Sequence, residues 1–331
     1  MEDRLEEVVG QYGLTVKARY RARGGTLFDT DGGLVFLKQL EEAKSHLYVE
    51  AAVTGHLADK GYPDTDRIFW TTGGDITSRD NFGQEYVLRR GIRGDACDLK
   101  ELEEVKLAAE NLAILHSNLQ GIFPQQVAQN NVLRTDTLEN SYTRHNRELK
   151  RVRQYIRNKN NKNEFEVCVL ASFDSFWHKA EESLHLIGEM DLETRMKEGV
   201  EKGIYIHGDY TYHNVLFVEN KTATTHFEHT QNGLQIQDLY DFLRKTMEKN
   251  NWSPAFGIAV LESYDKRKTL SREEKRLLYV QLLYPEKYWK VLNQYYNNKK
   301  SWISARNISK LQDLRMQEEA KEKFLRYLEE K

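Results

Sequence analysis

The segment Ile206–Leu216, I-H-G-D-Y-T-Y-H-N-V-L, constrains this chain more than any other. An apolar strand delivers His207-Gly208-Asp209 into a loop. Asn214 follows five residues after Asp209, and a second apolar run, Val215–Val218, begins at once. Phosphoryl transfer uses these residue types at this spacing. An aspartate accepts or orients the proton of an attacking hydroxyl, and an asparagine carbonyl oxygen binds magnesium beside it. A loop this short keeps the two groups a few ångströms apart. Asp209 is therefore the candidate catalytic residue, and Asn214 the candidate ligand for metal and nucleotide. Average amino-acid usage makes a chance H-G-D-x4-N roughly a one-in-a-thousand event per chain, and the flanking strands that the chemistry requires weaken chance further.

The rest of the chain supplies a setting for such a loop. Glycine pairs at Gly32-Gly33 and Gly73-Gly74, with Gly91 and Gly94, punctuate the first hundred residues. Between them lie β-type runs at Thr15–Arg21, Thr26–Phe28, Leu34–Leu37, Arg67–Trp70 and Glu85–Leu88, which read as a small antiparallel sheet with tight turns. One helix, roughly Glu41 to Lys60, interrupts them. After about Asp98 the character becomes helical: Leu99–Leu119 first, then 140–160 and 170–200. A β island follows at Ile204–Ile206, Val215–Val218 and Thr224–Phe227, and helices resume from Asp238. The pattern predicts an α+β, protein-kinase-like fold of two lobes. Residues 1–94 would form a small antiparallel-sheet lobe of nucleotide-binding type, and residues 95–331 a larger, mainly helical lobe carrying the catalytic loop.

Composition excludes several classes. Charged residues make up 30% of the chain, yet the net charge is only −2, so neither nucleic acid nor an anionic membrane is expected as a bulk partner. The basic run Arg144–Lys162 reads as a solvated helix face. Cys97 and Cys168 are too few and too far apart for a disulfide framework or a zinc site, which points to a reducing compartment. The first residues, MEDRLEEVVG, lack the basic and apolar regions of a signal peptide, and no run approaches 18 apolar residues. The expectation is a chain that is cytoplasmic at synthesis and has no transmembrane segment. The tyrosines of the tail, among them Tyr279, Tyr284, Tyr288, Tyr295 and Tyr296, read as core residues of closing helices.

H-G-D-x4-N, the strand after it and the later Asp238-Leu239 opening a helix resemble the aminoglycoside and choline phosphotransferase superfamily. More closely, the chain resembles the CotS-type spore-coat protein family within it. That likeness rests on Ile206–Leu216, on D-L-Y-D-F-L-R-K-T-M-E-K-N-N-W (Asp238–Trp252) and on Y-P-E-K-Y-W-K (Tyr284–Lys290). It implies a nucleotide cofactor, ATP with magnesium or manganese, a spore-coat location, other coat proteins as partners and a small-molecule phosphate acceptor. The small lobe should then supply a lysine for the nucleotide phosphates and a helix glutamate to hold it. Lys38, ending L-V-F-L-K, is the candidate lysine. Glu50 is its candidate partner, with Glu41 and Glu42 as rivals. Arg21–Thr26, R-A-R-G-G-T, would cover phosphate with backbone amides, and Leu88 and Arg89 would offer backbone groups to an adenine.

The resemblance breaks at one place. Where the family carries an aspartate that bridges magnesium to the nucleotide, this chain reads T-T-H-F-E-H, with His226 in the aspartate's position. Magnesium prefers hard oxygen ligands and imidazole is a poor substitute, although manganese or zinc tolerates nitrogen better. Residues two apart on a strand share a face, so Glu228 could join His226 as a replacement ligand. His229 completes a further transition-metal alternative. Asp238 is implied to brace the catalytic loop. Two functions follow. One is a degenerate kinase acting in coat assembly. The other is an active ATP-dependent phosphotransferase, working on a small hydroxylated substrate or coat polymer with a rearranged metal site.

Overall fold

The computed structural model describes residues 2–22, 24–40, 44–62, 64–123, 137–219, 221–297 and 305–330. Its backbone divides into two compact units. One comprises Met1–Asn131, Met196–Phe242 and Glu262–Lys268; the other comprises Val132–Arg195, Leu243–Leu261 and Thr269–Lys331.

The first unit opens with helix α1 (Glu2–Gly10) and strands β1 (Val16–Ala22), β2 (Gly25–Thr30) and β3 (Gly33–Gln39). Helix α2 (Lys44–Asp59), β4 (Ser78–Arg79) and β5 (Glu85–Arg90) follow. The strands form one antiparallel sheet in the order β1-β2-β3-β5-β4. Side chains alternate across it. Val35, Leu37, Tyr86 and Leu88 are buried with Val8, Val9 and Tyr12, while Val87 is buried with Leu47, Ile68 and Ile76. Lys38 pairs with Val87 in register, and Phe36 with Arg89, so Lys38 and Arg89 share the second face.

One reading of this sheet changes. Arg67–Trp70 is not a regular strand; Ile68 makes a single bridge to Arg89, and the chain leaves through a turn in which Gly74 has φ +85°. Ser78–Arg79 takes up the pairing at the other end of β5. The segment Arg21–Thr26 links the first two strands as expected, with Ala22 already paired to Gly25. A Cβ on Gly25 would stand 2.5 Å from the Leu37 carbonyl oxygen, so only glycine allows this close approach. Arg23 lies outside the described residues, as do Glu41 and Glu42.

The remainder of this unit is β6 (Asp95–Ala96), α3 (Leu102–Asn118), β7 (Tyr205–Ile206), β8 (Val215–Val218), β9 (Lys221–Thr224), a 3-10 turn (Phe227–His229), β10 (Gln231–Asn232) and the start of α7 (Ile236–Lys249). The last strand of the island therefore lies three residues earlier than Thr224–Phe227. Val218 pairs with Lys221, so Val215 is opposite Thr224, and beyond that pair the Thr225 N–H donates to the Asn214 carbonyl at 2.9 Å.

The second unit is helical. It holds α4 (Leu138–Asn158) and α5 (Glu164–Gly188), α9 (Arg272–Leu283), α10 (Glu286–Asn297) and α11 (Ala305–Glu330), while α6 (Leu192–Glu201) and α8 (Pro254–Asp265) each have residues in both units. Capping boxes start α5, Asn163 with Glu166, and α9, Ser271 with Glu274. Tyr284 stacks on Tyr142 and Tyr288 on Phe176, and both tail tyrosines are buried as expected. Among the described residues no helix is long and apolar enough to cross a membrane.

Candidate functional site

The loop after β7 is fixed before it does anything. Asp238, 2% exposed in the first turn of α7, accepts from the backbone N–H of His207 at 2.7 Å and of Gly208 at 2.9 Å. Burial would lift its pKa, but the hydrogen bond to His116 and the one from the His207 backbone N–H hold it below the usual carboxylate range. The loop bends at Gly208, φ +82°, where an added Cβ would lie 2.2 Å from the His229 carbonyl oxygen. His207 is buried and its Nδ1 accepts from the Asp209 N–H at 3.2 Å, so its Nε2 carries the proton and donates to the Thr225 carbonyl at 3.0 Å. Burial keeps this imidazole neutral by lowering its pKa.

A second anchor is a buried polar cluster. Tyr210 donates to the Ala108 carbonyl at 2.7 Å, and Asn111 on α3 donates to Tyr210 and Thr224, both at 3.0 Å. Tyr62 donates to the Asn111 amide oxygen at 3.0 Å. Every member has a partner, so the cluster ties loop, α3 and β9 together without an orphaned group.

Asp209 and Asn214 meet on this platform. The Asn214 amide donates to the Asp209 carboxylate at 2.9 Å and to its carbonyl at 2.8 Å. Both amide protons are thus spent on Asp209, which leaves the Asn214 oxygen as the ligating group. A half-buried carboxylate held in this way can orient a hydroxyl and take its proton.

The small-sheet residues combine differently from the expected pairing. Glu50, fully buried on α2, takes a bidentate bond from Arg89, Nε at 2.7 Å and Nη2 at 2.8 Å. Lys38 instead donates to Glu228 at 2.7 Å. Both cations face α2, and the planar guanidinium fork matches a buried carboxylate better than an ammonium does. Because its side chain fills that face, Arg89 is no simple hinge residue. The Leu88 carbonyl is also occupied, accepting from the Phe69 N–H at 2.9 Å.

His226 is on no strand. It is exposed and left-handed, φ 68°, at the head of the 3-10 turn that carries Glu228, so period-two strand geometry does not align the two residues. Asp66 accepts from the His226 N–H at 2.8 Å and holds this turn. Burial and the Glu50 charge push Asp66 up to about 7. The charges of Glu228, Lys38 and Asp209 all act on the imidazole.

This donor set does not fit magnesium. The oxygen ligands reduce to Asn214 and Asp209, since the Glu228 carboxylate is engaged by Lys38 and the remaining position offers nitrogen. Among the described residues no group of three or more His, Cys, Asp or Glu side chains is arranged to hold a metal ion. Sequence reasoning overlooked Asp66 and the Arg89 side chain. Arg89 had a signal: a charge two residues after Val87 in E-Y-V-L-R-R falls on a buried face and requires a carboxylate partner.

Comparison with known proteins is consistent with this geometry. The profile of the family described as spore coat putative kinase YutH matches residues 5–328. Spore coat protein S of Bacillus subtilis (strain 168) is 27% identical over 168 residues, 50% of this chain; the chain spans about half of that relative's length, 48%. An aminoglycoside phosphotransferase from Alicyclobacillus acidocaldarius superposes with a TM-score of 0.84 at 20% identity, over 98% of this chain and 95% of that one. A spectinomycin phosphotransferase in complex with ADP and spectinomycin gives 0.59 at 13% identity, over 96% and 97%. An amicoumacin kinase in complex with AMP-PNP and Ca2+ gives 0.56 at 11% identity, over 94% and 88%. These likenesses establish the kinase-like fold.

Proposed function

We propose, from the premise that this chain belongs to the spore coat putative kinase YutH family, that it works in the spore coat as a degenerate kinase. It would be made in the cytoplasm, and its role would be coat assembly with other coat proteins as partners. The observation that carries this reading is the donor set of the cleft. By the family resemblance an imidazole at 226 takes the place of the metal-bridging acid, and Glu228, the replacement that the sequence offered, is paired with Lys38 at 2.7 Å. In an electrostatically driven phosphoryl transfer, losing a metal ligand costs several powers of ten in rate, at about 1.4 kcal/mol for each.

One observation favours a second reading, an active phosphotransferase on a small hydroxylated acceptor or coat polymer. The Asp209–Asn214 pair is intact at 2.9 Å and fully braced. In addition, the Lys38–Glu228 pair is partly exposed, 36% and 21%, and surface pairs of this kind are worth about 1 kcal/mol or less, so nucleotide phosphates could displace Glu228 from Lys38.

Thermal unfolding with ATP, alone and then with magnesium or manganese, separates the readings when the native chain is compared with Lys38→Ala and His226→Asp. The degenerate reading expects no metal-dependent shift in the native chain and a gained one in His226→Asp. A metal-dependent shift in the native chain that Lys38→Ala abolishes, together with phosphate transfer, would establish the enzyme instead.

A further inference from the structure

The turn between β4 and β5 presents one aromatic ring to solvent and holds it firmly. Phe82 is 81% exposed, more than any other large apolar side chain among the described residues. Its turn is built around Asp80, whose side chain is 1% exposed. That carboxylate accepts from the backbone N–H of Phe82 at 2.8 Å and of Gln84 at 3.1 Å. It also accepts from the Tyr86 hydroxyl at 3.0 Å and from Arg4 Nε of α1 at 2.7 Å. Gly83, φ +80°, donates its N–H to the Asp80 carbonyl at 3.0 Å and closes the turn. The Arg4 guanidinium lies 4.6 Å from the centre of the Phe82 ring and supports it from one side. A ring held in this way loses little freedom on docking, and burying it releases the water around it.

The helical unit offers a recess of matching kind between α4 and α10. Its volume is about 290 Å³. That equals about ten waters at their share of the liquid, which is ample for a benzyl group. Leu149, Val152 and Leu292 are its buried floor, and Tyr155, Trp289 and Tyr296 are its aromatic walls. The walls are set before anything docks. Glu148 accepts from Trp289 Nε1 at 2.7 Å and from the Asn293 amide at 3.0 Å. Trp289 stacks on His145, and Tyr155 meets Tyr296 edge-on at 5.2 Å. Aromatic walls of this kind take a further ring by edge-to-face or offset contact.

Charge complements the fit. Beside the turn, Glu7 accepts from Asn81 at 3.1 Å. Glu6 and Glu7 are both exposed, and among the described residues neither has an ion pair. The other charges there are engaged, Arg4 by Asp80 and Glu85 by Lys44 and Arg79. Beside the recess, Arg147 and Arg151 are exposed one helical turn apart on α4, again without an ion pair among the described residues.

We propose that copies of this chain associate head to tail, Phe82 of one copy entering the α4–α10 recess of the next, with Glu6 and Glu7 set against Arg147 and Arg151. Phe82 belongs to the first unit and the recess to the second, so a copy gives with one surface and receives with another. Such a contact is heterologous and does not stop at two copies. It holds whether or not the cleft transfers phosphate.

The test is sedimentation velocity of the full chain at low salt, taken up to about 0.5 mM because a contact this small belongs to the weak class. Species larger than a dimer should grow with concentration and recede as added salt screens the charges. Phe82→Ala leaves the hydrogen bonds of the turn in place and should weaken association about tenfold or more. Tyr155→Glu, which puts a charge in the recess wall, should do the same. Mixed in equal amounts, these two variants should form a one-to-one pair that grows no further, since one keeps the recess and the other keeps the ring. Glu6→Lys/Glu7→Lys should also weaken growth, and adding Arg147→Glu/Arg151→Glu to the same chain should restore it. If Tyr155→Glu fails to fold, these charge reversals decide. A chain monomeric at every concentration, an assembly that ends at a dimer, or one undiminished by Phe82→Ala would overturn the proposal.

Discussion

Arg89→Met tests whether the charge pair under the sheet is as central as its burial implies. Glu50 is fully buried, Arg89 is 5% exposed, and both oxygens of one carboxylate engage one guanidinium. Removing the cation strands a buried carboxylate, which typically costs about 3–5 kcal/mol. Asp66 and Glu228 lose the same cation's field, so the upper half of that range applies. Lys38 lies on the same face and is able to swing toward Glu50, so the measurement belongs in a Lys38→Met background. Hydrogen exchange of peptides from α2 and β5 reads the effect locally, and their protection should fall by roughly three to three and a half powers of ten. The double change Glu50→Leu/Arg89→Met should recover to within about 1 kcal/mol of the parent, because a well-packed apolar pair replaces a buried ion pair at little cost. A loss below about 1 kcal/mol in the single variant, or a double variant no better than the single, would refute the reasoning.

Three further outcomes are expected. Gly208→Ala places a Cβ 2.2 Å from the His229 carbonyl at φ +82° and should destabilise the loop by about 2 kcal/mol or more, read as a lowered Tm. Asp66 binds its proton more tightly folded, at about 7, than unfolded. Stability should therefore fall as pH rises from about 4 to about 7 and level off above, an effect of at most about 4 kcal/mol that urea titrations should find absent in Asp66→Asn. Asp238→Ala removes the acceptor of two backbone N–H groups and should cost about 1–3 kcal/mol for each one left buried. The Asp238 pKa is depressed, so its stabilising share is fully present above about pH 4 and lost as pH falls through the lower folded value.

Local chemistry alone determined a good deal. H-G-D-x4-N between apolar strands is short enough that chain connectivity by itself brings Asp209 to Asn214, and they do bond. The family resemblance added a bracing role for Asp238 at a helix start, and Asp238 accepts from both His207 and Gly208. β-type runs between glycine-marked turns named β3 and β5, and helical spacing named α3, because those patterns lie within one element. What depended on distance along the chain was not legible. The partner of Glu50 is 39 residues away and that of Lys38 is 190 residues away. Two cations on one sheet face competed for one buried acid, and the sheet register together with guanidinium geometry decided in favour of Arg89. The end of β9 at Thr224 depended on where its hairpin closed, and that turned His226 out of the strand into a left-handed turn held by Asp66. A sequence lists which groups are available to meet. Which of them meet is decided by the packing that brings remote segments together, since burial leaves each charge only the partners that its neighbours supply.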